Sequence, residues 1–299
     1  MNPIQKISSY IKATKYNIGF LDGDLQSVID GAPIKVNWLK HTYKDRWFAD
    51  PFILDVTDTE IIVLVEEWYD PIQRGRISKL VVDKENYRLK SLKVMIDEGF
   101  HLSFPAITRK SDGIYIQPEC GLSRGLVEYK YDAEQDSFVK CGVISELPLA
   151  DSVRNSLFGE DLMFSTKLPD ANGKELGIYS WDNDTRQYQI KSYYYFDENI
   201  SRMAGNFFLC NGEIYRPAQV CLRWYGDAVS IQKVTKTGVL WDFEEIRRIY
   251  SPHPDLDLGF HTFNEHQGVI VVDALGYRRA KLCHLIKKVR DCFRKSAND

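Results

Sequence analysis

The strongest constraint on the fold is a pattern of short β segments that recurs five times at a nearly constant interval. Each repeat starts with an aromatic or small residue that leads into a strand, and a turn and further strands follow. The five starting segments are ADPFIL, SFPAIT, ADSVRNSLF, RMAGNFFL and GFHTFN. Their anchor residues are Asp50, Phe104, Ser152, Ala204 and Phe260. Successive anchors are 48 to 56 residues apart. This spacing predicts propeller blades, because one four-stranded sheet needs about that length of chain and cannot bury both of its faces alone.

The sequence therefore predicts an all-β protein, a five-bladed β-propeller spanning residues 1–277. Turn signals such as Asn172-Gly173 and Asn211-Gly212 separate the strands, and helical periodicity is nearly missing between residues 38 and 273. We expect residues 16–20 to supply the strand that closes the ring against the last blade. A β-sandwich or a two-domain β protein is the alternative interpretation.

Residues 278–299 differ from the body and predict an amphipathic basic C-terminal helix. Residues 278–295 hold eight basic side chains and one acid, a net +7 that leaves the other residues at −10. Apolar residues stand at helical spacing on the other face: Leu282, Leu285, Ile286, Val289, Cys292 and Phe293. Two interpretations are open, a helix bound to an anionic membrane surface or a terminal helix packed on the propeller. Nucleic acid is disfavoured as a partner because the acidic body would repel phosphates.

Composition and missing motifs exclude several classes of protein. No apolar run is long enough for a membrane span, and the N-terminal segment lacks the apolar core of a signal peptide. The six cysteines form no CxxC pair, which argues against zinc and for free thiols in a reducing compartment. HExxH, GxGxxG and GxxxxGK[ST] motifs are also missing, so we expect no metal and no cofactor. Cytoplasmic localisation is predicted, with peripheral contact on the inner membrane face.

Three acidic residues are the candidate catalytic groups: Asp50, Glu119 and Asp151. Strands nearest the axis of a propeller begin beside the central channel, so residues far apart in sequence converge there. Glycosyl chemistry uses one carboxylate as a base and a second as an acid, and a third carboxylate nearby raises the pKa of that acid. Any single Asp or Glu is also explained as a turn former or a surface charge.

The same reasoning gives candidate substrate-binding residues on the fourth and fifth repeats: Arg202, Arg216, Gln219, Tyr225 and His261. Glu67, on the strand after ADPF, is a further candidate. Arginines and an amide that point into a channel hold phosphates or sugar hydroxyls through paired hydrogen bonds. Glu66 and Glu67 would accept hydrogen bonds from sugar hydroxyls, and Trp47, Trp68 and Trp224 would stack on sugar faces. As structural groups, the arginines would instead tie one blade to the next.

Several of these segments together resemble a known family. They include WFADPF at residues 47–52, Glu66-Glu67, SFP at 103–105 and GIYIQPE at 113–119, followed by SRMAG at 201–205, YRPAQ at 215–219 and HTFN at 261–264. Over residues 15–278 the chain resembles the N-terminal domain of plant glucosamine inositolphosphorylceramide transferases and their bacterial relatives. That domain is in turn similar to the five-bladed propellers of the arabinanase, levansucrase and invertase clan.

The resemblance implies a carbohydrate-active propeller in which Asp50 is base or nucleophile and Glu119 is the acid. Asp151 would orient the sugar or tune a neighbouring pKa, although the third repeat lacks the Asp-Pro pair of the family pattern. Bacterial relatives occur with enzymes that build surface polysaccharides, which favours synthesis over digestion.

The leading hypothesis is a cytoplasmic glycosyltransferase of surface-polysaccharide biosynthesis. It would move a sugar, for example a furanose, from a nucleotide-sugar donor to a lipid-linked glycan acceptor, with Arg202 and Arg216 facing the donor phosphates. One alternative is a glycoside hydrolase with Asp50 as base and Glu119 as acid. The other is a non-catalytic glycan-binding module that partners a transferase.

Overall fold

The computed structural model describes residues 12–120, 125–286 and 288, and β-strands dominate them. In chain order the elements are β1 (Thr14–Leu21), α1 (Leu25–Ile29), β2 (Val36–Trp38), β3 (Arg46–Val56), β4 (Glu60–Tyr69), β5 (Arg74–Asp83), β6 (Leu89–Ile96), β7 (Ser103–Lys110), β8 (Gly113–Glu119), β9 (Leu126–Asp132), β10 (Ser137–Ser145), β11 (Leu149–Asn155), β12 (Leu162–Lys167), β13 (Glu175–Asp182), β14 (Gln187–Tyr195), β15 (Phe208–Cys210), β16 (Glu213–Val220), β17 (Ala228–Thr237), β18 (Leu240–Ile249), β19 (Phe263–His266) and β20 (Val269–Tyr277). The strands form five four-stranded sheets, so the predicted five-bladed propeller is confirmed.

Four blades are built from consecutive strands, and the fifth combines the first two strands with the last two. The first blade is β3–β6, the second β7–β10, the third β11–β14 and the fourth β15–β18. The fifth blade has the order β19-β20-β1-β2, and β1 pairs antiparallel with β20, for example Ile18 with Asp273. The prediction that residues 16–20 close the ring is therefore confirmed. Closure of this kind lets the fifth blade pack against both the fourth and the first, so that their facing sheet surfaces are covered.

Apolar side chains pack between neighbouring blades, as the need to bury both faces of each sheet requires. The largest apolar cluster draws residues from the first four blades, and in it Phe52 meets Phe104 edge to face at 4.9 Å. A second cluster joins the fourth and fifth blades, and a third joins the fifth and first. Each of these clusters is therefore a hydrophobic core that neighbouring blades share.

The first strands of three blades bend at equivalent points. Asp50, Phe104 and Asp151 have φ values of 48°, 45° and 48°, and the strand pairing shifts register at each. These β-bulges turn the strand beside the channel and re-aim its side chains. In the third blade the equivalent residue is Asp151, one position before the Ser152 that anchors the repeat in the sequence.

Helical structure is confined to short segments of the described chain. The helix α1 follows β1 and is capped by Asp24, whose carboxylate accepts a hydrogen bond from Ser27 N at 2.8 Å. Residues 280–286 and 288 are helical, and Leu285 is 58% exposed. Val289, Cys292 and Phe293 of the predicted amphipathic face lie outside the described residues. None of the described helices is long and apolar enough to cross a membrane.

Candidate functional site

Asp50 lies in the bulge of β3, where main-chain and side-chain donors hold its buried carboxylate. Oδ2 accepts a hydrogen bond from Phe104 N at 3.1 Å, and Oδ1 accepts one from Thr262 Oγ1 at 3.1 Å. His261 Nε2 lies 3.5 Å from the same Oδ1. Three blades therefore fix the position of this carboxylate.

Asp273, a residue that the sequence analysis did not select, supports both Asp50 and His261. Its oxygens accept hydrogen bonds from Asp50 N at 2.9 Å and from Thr262 N at 3.0 Å, and one lies 2.7 Å from His261 Nδ1. Burial acts to raise the pKa of Asp273, but His261 and these hydrogen bonds hold it below the usual value. An Asp within the apolar run VIVVDA was the sequence signal that would have revealed it.

His261 carries a positive charge at neutral pH. Burial acts to lower its pKa, but the Asp273 and Asp50 carboxylates outweigh that effect and raise the pKa to about 9. The ring of Tyr16 stacks on the imidazole with centroids 4.7 Å apart, and Tyr225 meets it edge to face at 5.4 Å. Asp50 therefore faces a cation whose orientation is fixed from several sides.

A second group of carboxyls surrounds Arg202. The guanidinium donates from Nε to Asp151 Oδ2 at 2.6 Å and from Nη2 to Glu119 Oε2 at 3.1 Å. Gln219 Nε2 donates to the same Asp151 oxygen at 2.6 Å, and Asp151 N donates to Glu119 Oε2 at 3.0 Å. The ring centroid of Tyr225 lies 4.9 Å from the Arg202 guanidinium, and the same ring meets His261, so Tyr225 connects the Arg202 group with the Asp50 group.

Two carboxyls in this region, those of Asp50 and Asp151, have pKa values close to neutrality. Burial raises the pKa of Asp50 to about 6, against the opposing charge of His261. Burial also raises the pKa of Asp151 to about 7; Arg202 opposes this, while the Glu119 carboxyl adds repulsion and a hydrogen bond. Glu66, on β4, has a pKa raised well above its usual value, mainly by burial and then by Asp50.

We call these five carboxyl groups the acidic cluster: Asp50, Glu66, Glu119, Asp151 and Asp273. Among the described residues, Arg202 and protonated His261 are the cations in contact with them; His101, near Glu66, has a pKa lowered by burial. Four of the five carboxyls are buried and Glu119 is 12% exposed, so with two cations they cannot all ionise at low cost. The cluster therefore retains protons near neutral pH.

Aromatic rings form a rim beside the cluster. Trp47 and Trp68 are stacked with centroids 5.5 Å apart, and Tyr16 lies 5.2 Å from Trp47. Tyr225 is 36% exposed and Trp224 is 44% exposed. Exposed aromatic faces next to buried carboxyls are suited to a ligand with both apolar and hydroxylated surfaces.

Two of the predicted binding residues do not join the cluster. Glu67 accepts hydrogen bonds from Arg46 and Arg76, and from Ser78 at 2.5 Å. Its neighbour Glu66 reaches the cluster instead, because successive residues of a strand point to opposite faces of the sheet.

Arg216 is fully buried away from the acidic cluster. It donates to Gln232 Oε1 at 2.7 Å and to the Ser201 carbonyl, and its guanidinium lies 5.3 Å from the Phe196 ring centroid. Burial lowers the pKa of Arg216 to about 9. Arg216 and Gln219 are three residues apart on β16, an odd spacing that puts them on opposite faces. Three residues of the predicted set belong to the acidic cluster: Asp50, Glu119 and Asp151. Four more lie around it: Arg202, Gln219, Tyr225 and His261.

A metal ion has one candidate set of ligands in the described chain. Donor atoms of Asp50, His261 and Asp273 all lie within 4.8 Å of one another. These atoms are already engaged, however, since the Asp273 oxygens accept hydrogen bonds from Asp50 N and Thr262 N. A cation would have to displace these donors and the proton of His261, so the arrangement fits an ion-paired network better than a metal site.

Fold and site together define a five-bladed propeller with an acidic site in its channel. The chain belongs to the family described as "Glucosamine inositolphosphorylceramide transferase 1, N-terminal", which matches residues 35–253. This confirms the resemblance found in the sequence. The matched range covers Asp50, Glu119, Asp151 and Arg202, and it ends before His261.

Curated relatives from two plants carry the name glucosamine inositolphosphorylceramide transferase 1. The protein of Oryza sativa subsp. japonica is 25% identical over 201 residues, which cover 65% of this chain and 27% of the relative. The Arabidopsis thaliana protein is 26% identical over 197 residues, covering 63% and 26%. The matched region thus spans about a quarter of the length of these relatives.

Among solved structures, a family 117 glycoside hydrolase produced by Zobellia galactanivorans has a similar fold. The TM-score is 0.50 at 10% identity, and the match covers 89% of this chain and 92% of that one. The likeness supports the propeller architecture.

Proposed function

We propose that this propeller catalyses glycosyl transfer in surface-polysaccharide biosynthesis, with the acidic cluster as its active site. The observation that carries the proposal is the set of five carboxyls, four of them buried, against two cations, with pKa values of about 6 for Asp50 and about 7 for Asp151. Groups that titrate this close to neutrality exchange protons readily at physiological pH. The transferase names of the relatives support the same reaction class.

Asp50 acts as the base in this proposal. It is ionised above its pKa of about 6 and takes the proton of the acceptor hydroxyl as that oxygen attacks the anomeric carbon. Asp273 and His261 are positioning residues, because they orient Asp50 and keep a positive charge beside it.

The Asp151–Glu119 pair acts as the acid. The two carboxyls share Arg202, and a pKa of about 7 lets Asp151 hold a proton near neutral pH. As the bond from the anomeric carbon to the leaving oxygen breaks, that oxygen takes the proton. Positive charge that develops on the sugar ring would be stabilised by the surrounding carboxylates.

The nucleotide-sugar donor and the lipid-linked acceptor stay predictions. Arg202 is engaged by Asp151 and Glu119, and Arg216 is buried outside the cluster, so other residues would have to bind donor phosphates. The surplus of carboxyls disfavours a diphosphate near the anomeric carbon. This observation favours glycoside hydrolysis of a neutral saccharide as the second candidate function.

The test is product analysis with nucleotide sugars and neutral oligosaccharides, each with and without a glycan acceptor. A glycan lengthened by one sugar supports transfer, and release of free sugar from oligosaccharides alone supports hydrolysis in its place. Binding without any turnover would contradict both and leave a glycan-binding module.

Asp50→Asn tests the assignment of the base. We expect turnover to fall at least about a hundredfold, since a positioned base contributes about 10²–10⁴-fold. Asp58→Asn is the matched control, because Asp58 is an exposed turn residue of the same hairpin. Unchanged turnover in Asp50→Asn would remove Asp50 from the mechanism.

A further inference from the structure

A cavity lies at the opposite end of β7 from the acidic cluster. Its volume is about 620 Å³, which is in the range of small-ligand sites. It is lined by residues 107–111 at the far end of β7, by residues 154–157 and Asp161 beside the β11–β12 hairpin, and by Asn206 and Phe207. The start of β7, Ser103, pairs with Glu119 of the acidic cluster, so the strand runs from one site to the other. We call this space the far cavity.

Two asparagines separate the far cavity from the acidic cluster. Asn264 Nδ2 donates to Pro51 O at 2.9 Å, and its Oδ1 accepts from Asn206 N at 2.7 Å. Asn206 Nδ2 donates in turn to Ile107 O at 2.9 Å. This chain of amides connects four of the five blades.

The wall of the far cavity contains buried polar atoms that lack hydrogen-bond partners within the described chain: Arg154 Nε, Asn155 Nδ2 and Asn206 Oδ1. The side chain of Arg154 is 7% exposed, and Asn155 as a residue is 7% exposed. A buried donor without a partner is costly, so such atoms normally serve a ligand or ordered water. Asn155 Nδ2 and Asn206 Oδ1 supply one donor and one acceptor in this wall, which match the hydroxyl groups of a sugar.

The far cavity also has an excess of positive charge. Lys110 and Arg154 both contact Glu128, and Arg154 also contacts Asp161 at 2.8 Å. Arg109 has no carboxylate at ion-pair distance in the described part of the chain. Its Nη2 donates to the Ile53 and Leu54 carbonyls, and Asp55 acts on it only from a distance. A guanidinium held in place by carbonyls, with its charge uncompensated, is suited to an oxyanion.

We propose that the far cavity binds a small sugar that carries an anionic group, a phosphate or a carboxylate. The anion lies against Arg109, and the sugar hydroxyls accept from Asn155 Nδ2 and donate to Asn206 Oδ1. This proposal does not depend on the reaction at the acidic cluster.

Calorimetric titration of the full chain with glucose 6-phosphate, glucuronate, glucose and inorganic phosphate tests the site. The two anionic sugars should bind at least about tenfold more tightly than glucose or phosphate, because only they use both the charge and the hydroxyl partners. A stronger response to one anionic sugar identifies its anionic group as the physiological one. No binding of either at millimolar concentration, or equal binding of inorganic phosphate, overturns the proposal.

Asn155→Asp is the decisive variant. It keeps the oxygen that accepts from Leu157 N, removes the unpartnered donor and adds a negative charge. Affinity for both anionic sugars should fall at least about tenfold. Asn183→Asp adds the same charge on an exposed turn and should leave the affinity unchanged. Equal affinities in Asn155→Asp and the unaltered protein contradict the site.

Two further variants keep the test interpretable. Arg109→Gln removes the anion partner and should give the same loss if Asn155→Asp fails to fold. Asp50→Asn should bind the anionic sugars normally, whereas a loss there would place the binding at the acidic cluster instead.

Discussion

Asp50 and Asp151 keep a left-handed backbone in the strands beside the channel, at an expected cost of about 1–3 kcal/mol each. The surrounding hydrogen bonds maintain this conformation: Asp50 N donates to Asp273, and Asp151 N donates to Glu119. The strain is local, and its effect is to hold two carboxyls in a buried place where their pKa values rise. The backbone conformation of Asp50 and Asp151 therefore contributes to the raised pKa values of their carboxyls.

The pH dependence of turnover follows from these two groups. Asp50 must be ionised, which requires a pH above about 6, and Asp151 must be protonated, which requires a pH below about 7. We expect a narrow bell-shaped profile of kcat/KM with its maximum between these values. A profile that stays flat from pH 5 to about 8 would contradict the assignment of base and acid.

Arg216 gives a second prediction at this scale. Arg216→Met leaves Gln232 Oε1 and the Ser201 carbonyl without their donor, so we expect a loss of about 1–3 kcal/mol in the free energy of unfolding. Ligand affinity at the acidic cluster should not change. Chemical denaturation and calorimetry measure the two effects, with exposed Arg88→Met as the control. Lower affinity at unchanged stability would restore Arg216 as a binding residue.

At the scale of elements, the fourth blade meets the fifth through very close backbone contact. A Cβ on Gly205 would lie 2.1 Å from Phe263 O and 2.6 Å from Asn264 Oδ1. This approach lets Asn206 N donate to Asn264, which begins the amide chain between the two sites. A glycine at this position therefore determines how two blades fit together.

Gly205→Ala tests that contact. Because the methyl group would collide with main-chain oxygen, we expect a loss of about 3 kcal/mol or more in unfolding free energy. Gly212→Ala is the matched control, since Gly212 also has a positive φ of 81° but nothing within 4 Å of an added Cβ. It should cost about 1 kcal/mol. Equal losses in the two variants would show that backbone strain, and not the collision, decides stability.

At the scale of the whole molecule, the early and late segments of the described chain meet. The strand β1 pairs with β20, Arg278 N donates to Ala13 O, and Arg278 forms a two-pronged ion pair with Asp70 of the first blade. The C-terminal helical residues follow directly, with Leu282, Leu285 and Ile286 between 40% and 58% exposed. Exposed apolar side chains in a strongly basic segment are suited to an anionic membrane surface.

We therefore predict that the full chain binds vesicles containing anionic lipid, and that the binding weakens as salt is added. A chain ending at Lys281 keeps the Arg278–Asp70 pair and is the matched comparison. Co-sedimentation measures both. Equal binding by the two chains, or binding to neutral vesicles alone, would contradict a role for residues 282–299.

How much of the site could be predicted depended on where each residue stood in its strand. Asp50, Asp151 and His261 stand near the starts of strands beside the channel, and the repeat located those starts. Glu67 and Arg216 were also assigned from the sequence, but strand alternation turns their side chains to the other face. Asp273 was missed because its neighbours are apolar, and only its partners show why a carboxylate is buried there.

The sequence by itself determined the architecture, because a regular repeat of short strands can bury its sheets only by stacking them in a ring. It also determined the family and the residues available for acid–base chemistry. Only the tertiary structure decided which of those residues meet. Protonation depends on distances between groups that are far apart in sequence, as with Asp50 and His261, and these distances exist only when the ring is closed. The far cavity likewise exists only in the folded chain, because its walls come from three different blades.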